Sequence, residues 1–396
     1  MDSLCLDAVE LTASLVNIES TNPGVYEKNI GDFVEDYLVT CGSKVKRSVV
    51  SGERTNVCGI IEGEVAHPAL VFICHMDTVV EGAGWTKDAF KAHIEDRKLY
   101  GRGSCDMKSG FACALTAFAK ASIKVKEENI VPKCNLVFIG TSDEEGDMTG
   151  VEKVIKDGWV TKEDYILDGE PTDGMIQMAH KGRTWFELES VGVTAHASMP
   201  DKGADAIAGL SEMISYIRKE MKKCPEHEEL GKSTVTFGMV NGGYSPYVVP
   251  DDAKVTIDMR LVPPMTTAKA EEVIKAAIEF AEKEVPGIKG KYRITGDRPP
   301  VERHEESRLM DELKKAVYTC TGKEAVVSAF TGYTDTAVIA GKIGNKNCMS
   351  YGPGMLRLAH KPDEYVDIED VKRCEKVYKE LVRNVIFYKD INVIGD

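Results

Sequence analysis

Leu70-Val71-Phe72-Ile73-Cys74-His75-Met76-Asp77 is an apolar run that ends in an imidazole and, two residues later, a carboxylate. A short β-rich run without polar alternation is the pattern of a strand buried on both faces, so the stretch predicts an internal strand of an α/β sheet. A second carboxylate, Asp106, follows in the glycine-rich turn Gly101-Arg102-Gly103-Ser104-Cys105-Asp106-Met107-Lys108. Histidine and aspartate at a strand end, with another aspartate in a tight turn, read as half of a metal site. The other half lies downstream.

The flanking sequence repeats this grammar. Residues 135–141 form a second short apolar run, and residues 110–121, small and apolar with Phe111, Leu115 and Phe118, read as the crossover helix between the two strands. Upstream, Ile30, Phe33, Val34, Tyr37 and Leu38 recur at helical spacing and stop at Gly42. Past residue 180 the pattern changes to an alternating strand over 184–193, a helix over 205–222, strands over 234–239 and 253–261, a helix over 268–284 and a closing strand over 291–294. The order β-α-β-β-α-β is that of a ferredoxin-like domain. Helices over 306–319 and 368–388 then resume the first pattern, and Val371, Cys374, Tyr378, Leu381 and Val385 form a stripe that reads as core. The expected architecture is a catalytic α/β/α sheet domain built from residues 1–180 and 297–396, with residues 181–296 inserted as an α+β domain.

Whole-chain properties bound the function. At 396 residues the chain exceeds one ordinary core, in keeping with two domains. A hydrophobic content of 43%, 29% charged residues and a mean hydropathy of -0.22 describe a globular protein. No apolar run reaches the roughly 20 residues that span a bilayer. The net charge of -14 and pI near 5.2 exclude the basic footprint of a nucleic-acid partner. The start, Met1-Asp2-Ser3-Leu4-Cys5-Leu6-Asp7, lacks a basic region and a long apolar region, so a cytoplasmic location is expected. Eleven cysteines, an odd number without a CxxC pair, read as free thiols in a reducing compartment. Cys74 and Cys105, beside candidate metal residues, read as small buried hydrophobes.

The remaining donors fall just past strands. Thr141-Ser142-Asp143-Glu144-Glu145-Gly146 follows one, Leu167-Asp168-Gly169-Glu170-Pro171-Thr172 follows another, and Ala359-His360-Lys361-Pro362-Asp363-Glu364 precedes the C-terminal helix. In an open α/β sheet the carboxyl ends of the strands converge on one crevice, so residues distant in sequence can share a site there. Histidine, aspartate and glutamate are donors that zinc accepts. Adjacent Glu144 and Glu145 point opposite ways in extended backbone, which favours one as ligand and the other as proton carrier.

Carrying these five motifs in order, the chain is identified as a member of the dizinc aminoacylase, carboxypeptidase and desuccinylase family, in the branch of acetylornithine deacetylase and succinyl-diaminopimelate desuccinylase. The resemblance implies a metal-dependent hydrolase of amino-acid metabolism, a deacylase that cleaves the amide of an N-acyl amino acid. A dipeptidase or carboxypeptidase of the same family is the alternative, and a noncatalytic metal-binding descendant a more distant one. It implies two zinc ions, with cobalt or manganese able to replace one. His75, Asp106 and Glu170 would hold the first ion, and Asp106, as bridge, with Glu145 and His360 the second. Asp168 competes with Glu170 for its place. Asp77 would orient His75, and Glu144 would be the general base. In the inserted domain, which the family uses as lid and dimerisation domain, His196 would stabilise the oxyanion and Arg260 anchor a substrate carboxylate. Tyr247 stands where the family commonly places an asparagine, Thr334 lies in a hydroxyl loop that meets substrate, and His180 at the domain junction reads as structural. A homodimer is the expected assembly.

Overall fold

The computed structural model describes residues 6–387. The chain divides into two compact units. The first comprises the chain up to Met178, Arg303–Ser328 and the chain from Thr334 onward; the second comprises Ala179–Glu302 and Ala329–Tyr333.

An eight-stranded mixed sheet is built in the order Lys44–Ser51, Arg54–Ile61, Cys134–Thr141, Val65–His75, Tyr165–Asp168, Cys348–Ser350, Ile176–His180, Val327–Phe330. The four strands from Cys134–Thr141 to Cys348–Ser350 run parallel, with His75 opposite Thr141, Ile73 opposite Asp168 and Ser350 opposite Asp168. Their carboxyl ends therefore reach one edge together. The expected strand over 135–141 and the strand ending at His75 are both present, completely buried through their apolar stretches. The sequence pattern did not suggest the antiparallel hairpin Lys44–Ser51 and Arg54–Ile61 beside them. The outermost strand, Lys44–Ser51, mixes charged and small residues because it has an open edge, while Arg54–Ile61, paired on both sides, starts with the polar Arg54-Thr55-Asn56 before its apolar run.

Helices cover the sheet. Lys28–Cys41 stops at Gly42, whose φ of +74° is the left-handed conformation that ends helices without a Cβ penalty. The crossover helix runs Lys108–Glu128 and buries Phe111, Leu115 and Phe118. Near its start the backbones of Gly110 and Gly169 touch. A Cβ on Gly110 would lie 1.9 Å from the Gly169 carbonyl oxygen. Only glycine permits this approach, which seats the helix on the loop that carries Glu170. The C-terminal helix Ile368–Val382 buries Val371, Cys374, Tyr378 and Leu381 of the expected stripe and continues as a π-helical turn over Arg383–Phe387, where Val385 is only half-buried; Tyr388 lies outside the described residues.

The second unit is a four-stranded antiparallel sheet in the order Thr234–Gly242, Asp252–Leu261, Gly182–Val191, Lys289–Arg298, with helices Ala206–Met221 and Thr267–Glu284. This is the ferredoxin-like arrangement. Strict alternation along Gly182–Val191 turns Thr184, Phe186 and Leu188 inward, and Phe186 and Leu188 share a core with Met213 and Ile274 of the helices. The segment 329–333, expected with the catalytic domain, groups instead with this unit. Phe330 and Tyr333 pack their rings against His180, and the Tyr333 hydroxyl donates to the Pro299 carbonyl at 2.9 Å.

Candidate metal centre

Strand Val65–His75 delivers His75 to the edge where the parallel strands end. Its Nδ1–H donates to the backbone carbonyl of Asp77 at 2.8 Å, which turns Nε2 toward Asp106 Oδ1 at 3.1 Å and Glu170 Oε1 at 3.8 Å. The other Asp106 oxygen, Oδ2, lies 3.4 Å from His360 Nε2, and His360 Nε2 is 2.9 Å from Glu145 Oε1. One carboxylate thus presents one oxygen to each of two imidazoles. His360 occupies a left-handed turn position, φ +61°, after the short helix Leu356–Leu358. Ligand atoms of His75, Asp106 and Glu145 lie within 4.8 Å of one another, as do those of His75, Glu144 and Glu170. The structure thus brings together all five residues expected as ligands and the expected base.

Electrostatics follow from packing these acids in a buried place. Burial, with Asp106 nearby, pushes the Glu170 and Glu145 carboxyls above the usual range, and burial pushes Glu144 well above it. Hydrogen bonds to Asp106 and Glu145 raise His360 to about 10. Burial opposes charge on His75, but its bond to Asp106 and the Glu144 and Glu170 carboxylates outweigh it and lift the ring well above its ordinary value. Burial opposes ionisation of Asp106, yet the two imidazoles hold it below the usual carboxylate range. Clustered acids with two imidazole nitrogens, all hard or borderline donors, fit divalent metal.

Two expected roles change in detail. Asp77 was read as the carboxylate behind His75, but its Oδ1 is 3.8 Å from Nδ1 and the backbone carbonyl takes the ring proton. The carboxylate instead accepts the backbone amides of Glu144 and Glu145, each at 3.1 Å, and the Asn22 side chain at 2.8 Å. Asp168, the competitor for Glu170, accepts from Thr336 at 2.7 Å and does not belong to either ligand group.

The substrate-side expectations fare less evenly. Thr334 caps helix Asp335–Ile343: buried, it accepts from the Ala337 amide at 3.3 Å and bonds Thr336 at 2.8 Å, so its hydroxyl is committed to the fold. The Arg260 guanidinium is bracketed by Asp258 at 2.8 and 3.1 Å, because residues two apart on a strand share a face. An anchor for a substrate carboxylate is therefore already paired. His196 and Tyr247 are brought close in the second unit, where His196 bridges Val248 and the Ala197 amide donates to the Tyr247 carbonyl at 3.0 Å. The Tyr247 side chain is exposed. His196 Nδ1 accepts the Ser198 amide at 3.2 Å, so a neutral ring carries its proton on Nε2 as a donor. His180 is buried, and burial lowers its pKa to about 4. The ten cysteines among the described residues are free, with Cys74 and Cys105 buried and their thiols pushed well up by burial.

Sequence reasoning passed over Arg102 and Glu364, although both stand inside the quoted motifs. Glu364, buried, accepts the amides of Cys105 at 2.9 Å and Asp106 at 3.0 Å and is paired with Arg102. No pattern marked Asn22, Glu27 or Arg54.

Among the described residues no helix is long and apolar enough to cross a membrane. The model of peptidase family M20/M25/M40 matches residues 71–384. An acetylornithine deacetylase of Buchnera aphidicola subsp. Schizaphis graminum is 29% identical over 80% of this chain and 81% of its own. A probable succinyl-diaminopimelate desuccinylase of Staphylococcus epidermidis is 26% identical over 95% and 97%. Among solved structures, a tripeptidase from Staphylococcus aureus has a TM-score of 0.77 at 19% identity, covering 96% of this chain and 97% of that one. A dinuclear metal-binding peptidase from Bacillus subtilis has a TM-score of 0.72 at 17% identity, covering 96% and 97%. With a metal-fitting site at the carboxyl edge of its sheet, and a family match over most of its length, the chain belongs to peptidase family M20/M25/M40 and is a metal-dependent hydrolase acting on amides.

Proposed function

We propose that the chain is a dizinc deacylase for an N-acyl amino acid of the acetylornithine or succinyl-diaminopimelate kind. The observation that carries the dinuclear reading is Asp106, with one oxygen toward His75 and the other toward His360. The names of the curated relatives supply the substrate class. His75, Asp106 and Glu170 would hold one zinc, and Asp106, Glu145 and His360 the other. When bound, such a pair lowers the pKa of water toward 7 and polarises a carbonyl oxygen. The chain's own residues do the rest. Glu144, as its carboxylate, takes the proton of the attacking water and returns it to the leaving amine. His196 donates Nε2–H to the developing oxyanion. Tyr247, exposed in the second unit, is the retained substrate contact. Arg260 serves a substrate carboxylate only by exchange with Asp258, and Thr334 acts through the helix that it caps. A homodimer through residues 181–296 and a cytoplasmic location complete the reading.

Metal analysis of purified protein is expected to find close to two ions per chain; a value near zero after zinc or cobalt supplementation refutes the dinuclear centre. A screen of N-acetylornithine, N-succinyl-diaminopimelate, other acyl amino acids and dipeptides is expected to single out an acyl amino acid. A preference for dipeptides would overturn the deacylase assignment. Glu144→Ala is expected to keep its metals and lose about 100-fold or more in kcat; unchanged hydrolysis removes Glu144 from the proton-carrying role.

A further inference from the structure

The turn that carries Glu144 and Glu145 is held by more than Asp77. The Asp143 amide donates to Glu27 Oε1 at 3.1 Å, and the next two amides, Glu144 and Glu145, donate to Asp77. Three consecutive N–H groups are thus spoken for by two buried carboxylates. Asp143 itself, forced to a left-handed φ of +70°, turns its own carboxylate back into the same place. There it meets the Asn22 amide, which donates to Asp143 Oδ1 at 3.0 Å and to Asp77 Oδ2 at 2.8 Å. Gly146 leaves room for this closure, since a Cβ there would lie 2.6 Å from Asp143 Oδ1 and 3.1 Å from Asn22 Nδ2 and would push both side chains aside.

Arg54 supplies charge balance to these acids. Its guanidinium is bidentate on Glu27, with Nε at 2.9 Å from Oε2, reaches Asp143 Oδ1 with Nη1 at 2.9 Å, and lies over the Tyr26 ring at 4.5 Å. A planar fork with several fixed donors can grip one carboxylate bidentately and still reach a second, a fixed geometry that a lysine ammonium does not reproduce. Asn22, Glu27 and Arg54 all precede the segment 71–384 that the family model matches. They come from the N-terminal region and the edge hairpin, elements with no ligand of their own.

We propose that Arg54, acting through Glu27, Asp143 and Asn22, is a positioning residue for the Glu144–Glu145 turn, setting the aim of the proton-carrying glutamate and of one metal ligand. Neutralising Arg54 leaves Glu27 and Asp143 facing each other without the cation that pairs with both. The turn opens by backbone movement, while His75, Asp106, Glu170 and His360 stay where they are. This inference rests on the dinuclear reading only for its metal readout.

The test compares Arg54→Met, Arg54→Lys and Asn22→Ala with wild type. Arg47→Met, which removes a cation paired with Asp32 and Glu35, is the control. In metal-free protein, hydrogen exchange of the segment containing residues 143–145 is expected to speed up at least 10-fold in Arg54→Met and Asn22→Ala, and to stay unchanged in Arg47→Met. With cobalt loaded, Arg54→Met is expected to bind one ion about 10- to 100-fold more weakly and to show an altered visible absorption band. On the best substrate from the panel, kcat falls by a similar factor while KM holds, and Arg54→Lys recovers only part. If Arg54→Met does not fold, Asn22→Ala, a smaller deletion on the same network, decides. Unchanged exchange and an unchanged cobalt spectrum in a folded variant overturn the proposal. A wild type inactive on every amide would count against the proposed function, and the exchange experiment would still decide the role of Arg54.

Discussion

Arg102→Met probes the second network that holds a ligand loop, and its size can be worked out from the geometry. Arg102 and Glu364 are both buried. The guanidinium donates to Glu364 Oε2 and to the Glu81 carbonyl at 2.9 Å, while Glu364 Oε1 receives the amides of Cys105 and Asp106. Burial lifts the Glu364 carboxyl to about 7 in spite of Arg102. A carboxyl raised in the folded state binds a proton that the unfolded chain has released. Its stabilising contribution is therefore full below the ordinary value of 4.5 and is lost as pH climbs through about 7. Removing Arg102 raises the carboxyl further, so the variant and wild type differ little while both carboxyls hold their proton. At pH 5.5 the cost is the lost hydrogen bonds, about 1 kcal/mol. Above pH 7 the wild-type carboxylate ionises and the variant's does not, which adds about 1.4 kcal/mol per pH unit until the 3–5 kcal/mol typical of a broken buried pair is reached. Urea unfolding of metal-free protein, followed by circular dichroism, should give a difference of about 1 kcal/mol at pH 5.5 and about 3 kcal/mol at pH 8.5. A difference that stays flat with pH, or below 1 kcal/mol at pH 8.5, would refute the reasoning.

Two further outcomes follow from particular contacts. Gly110→Ala places a Cβ 1.9 Å from the Gly169 carbonyl; the forced shift should cost about 1–3 kcal/mol in urea unfolding and weaken metal binding through the displaced Glu170 loop, and a neutral substitution would show that the helix can slide. In metal-free protein, both imidazoles and Glu144, Glu145 and Glu170 hold their protons above the ordinary range. These groups stabilise the metal-free fold at low pH and lose that effect as pH rises. Metal binding displaces the protons, so apparent affinity measured by titration calorimetry should rise from pH 6 to 9 with proton release that depends on buffer; affinity independent of pH would contradict the assigned ligands.

Much of the first unit was legible because its signals are local. A short, β-rich apolar run such as 70–74 reads as an inner strand, and a histidine at its end faces the crevice that parallel strands share. The alternation along Gly182–Val191 and the periodicity of its helices named the ferredoxin-like unit for the same reason. Strand Lys44–Ser51 was missed because an edge strand needs no apolar period, and Arg54–Ile61 because its apolar part, residues 57–61, is short and interrupted by Gly59. Arg260 was read by its type, and type says nothing about Asp258 lying on the same strand face.

By itself the sequence determined the fold class, the order of elements and the donor types at strand ends, since periodicity and side-chain chemistry are properties of neighbouring residues. The tertiary structure alone decided what holds those donors. Asp77 faces the amides of Glu144 and Glu145 across 67 and 68 residues of chain, Glu364 faces Asp106 across 258, and Glu27 reaches Asp143 across 116. A buried carboxylate satisfies whichever N–H groups the packing brings to it, and that pairing is settled only when sheet and helices have closed around it.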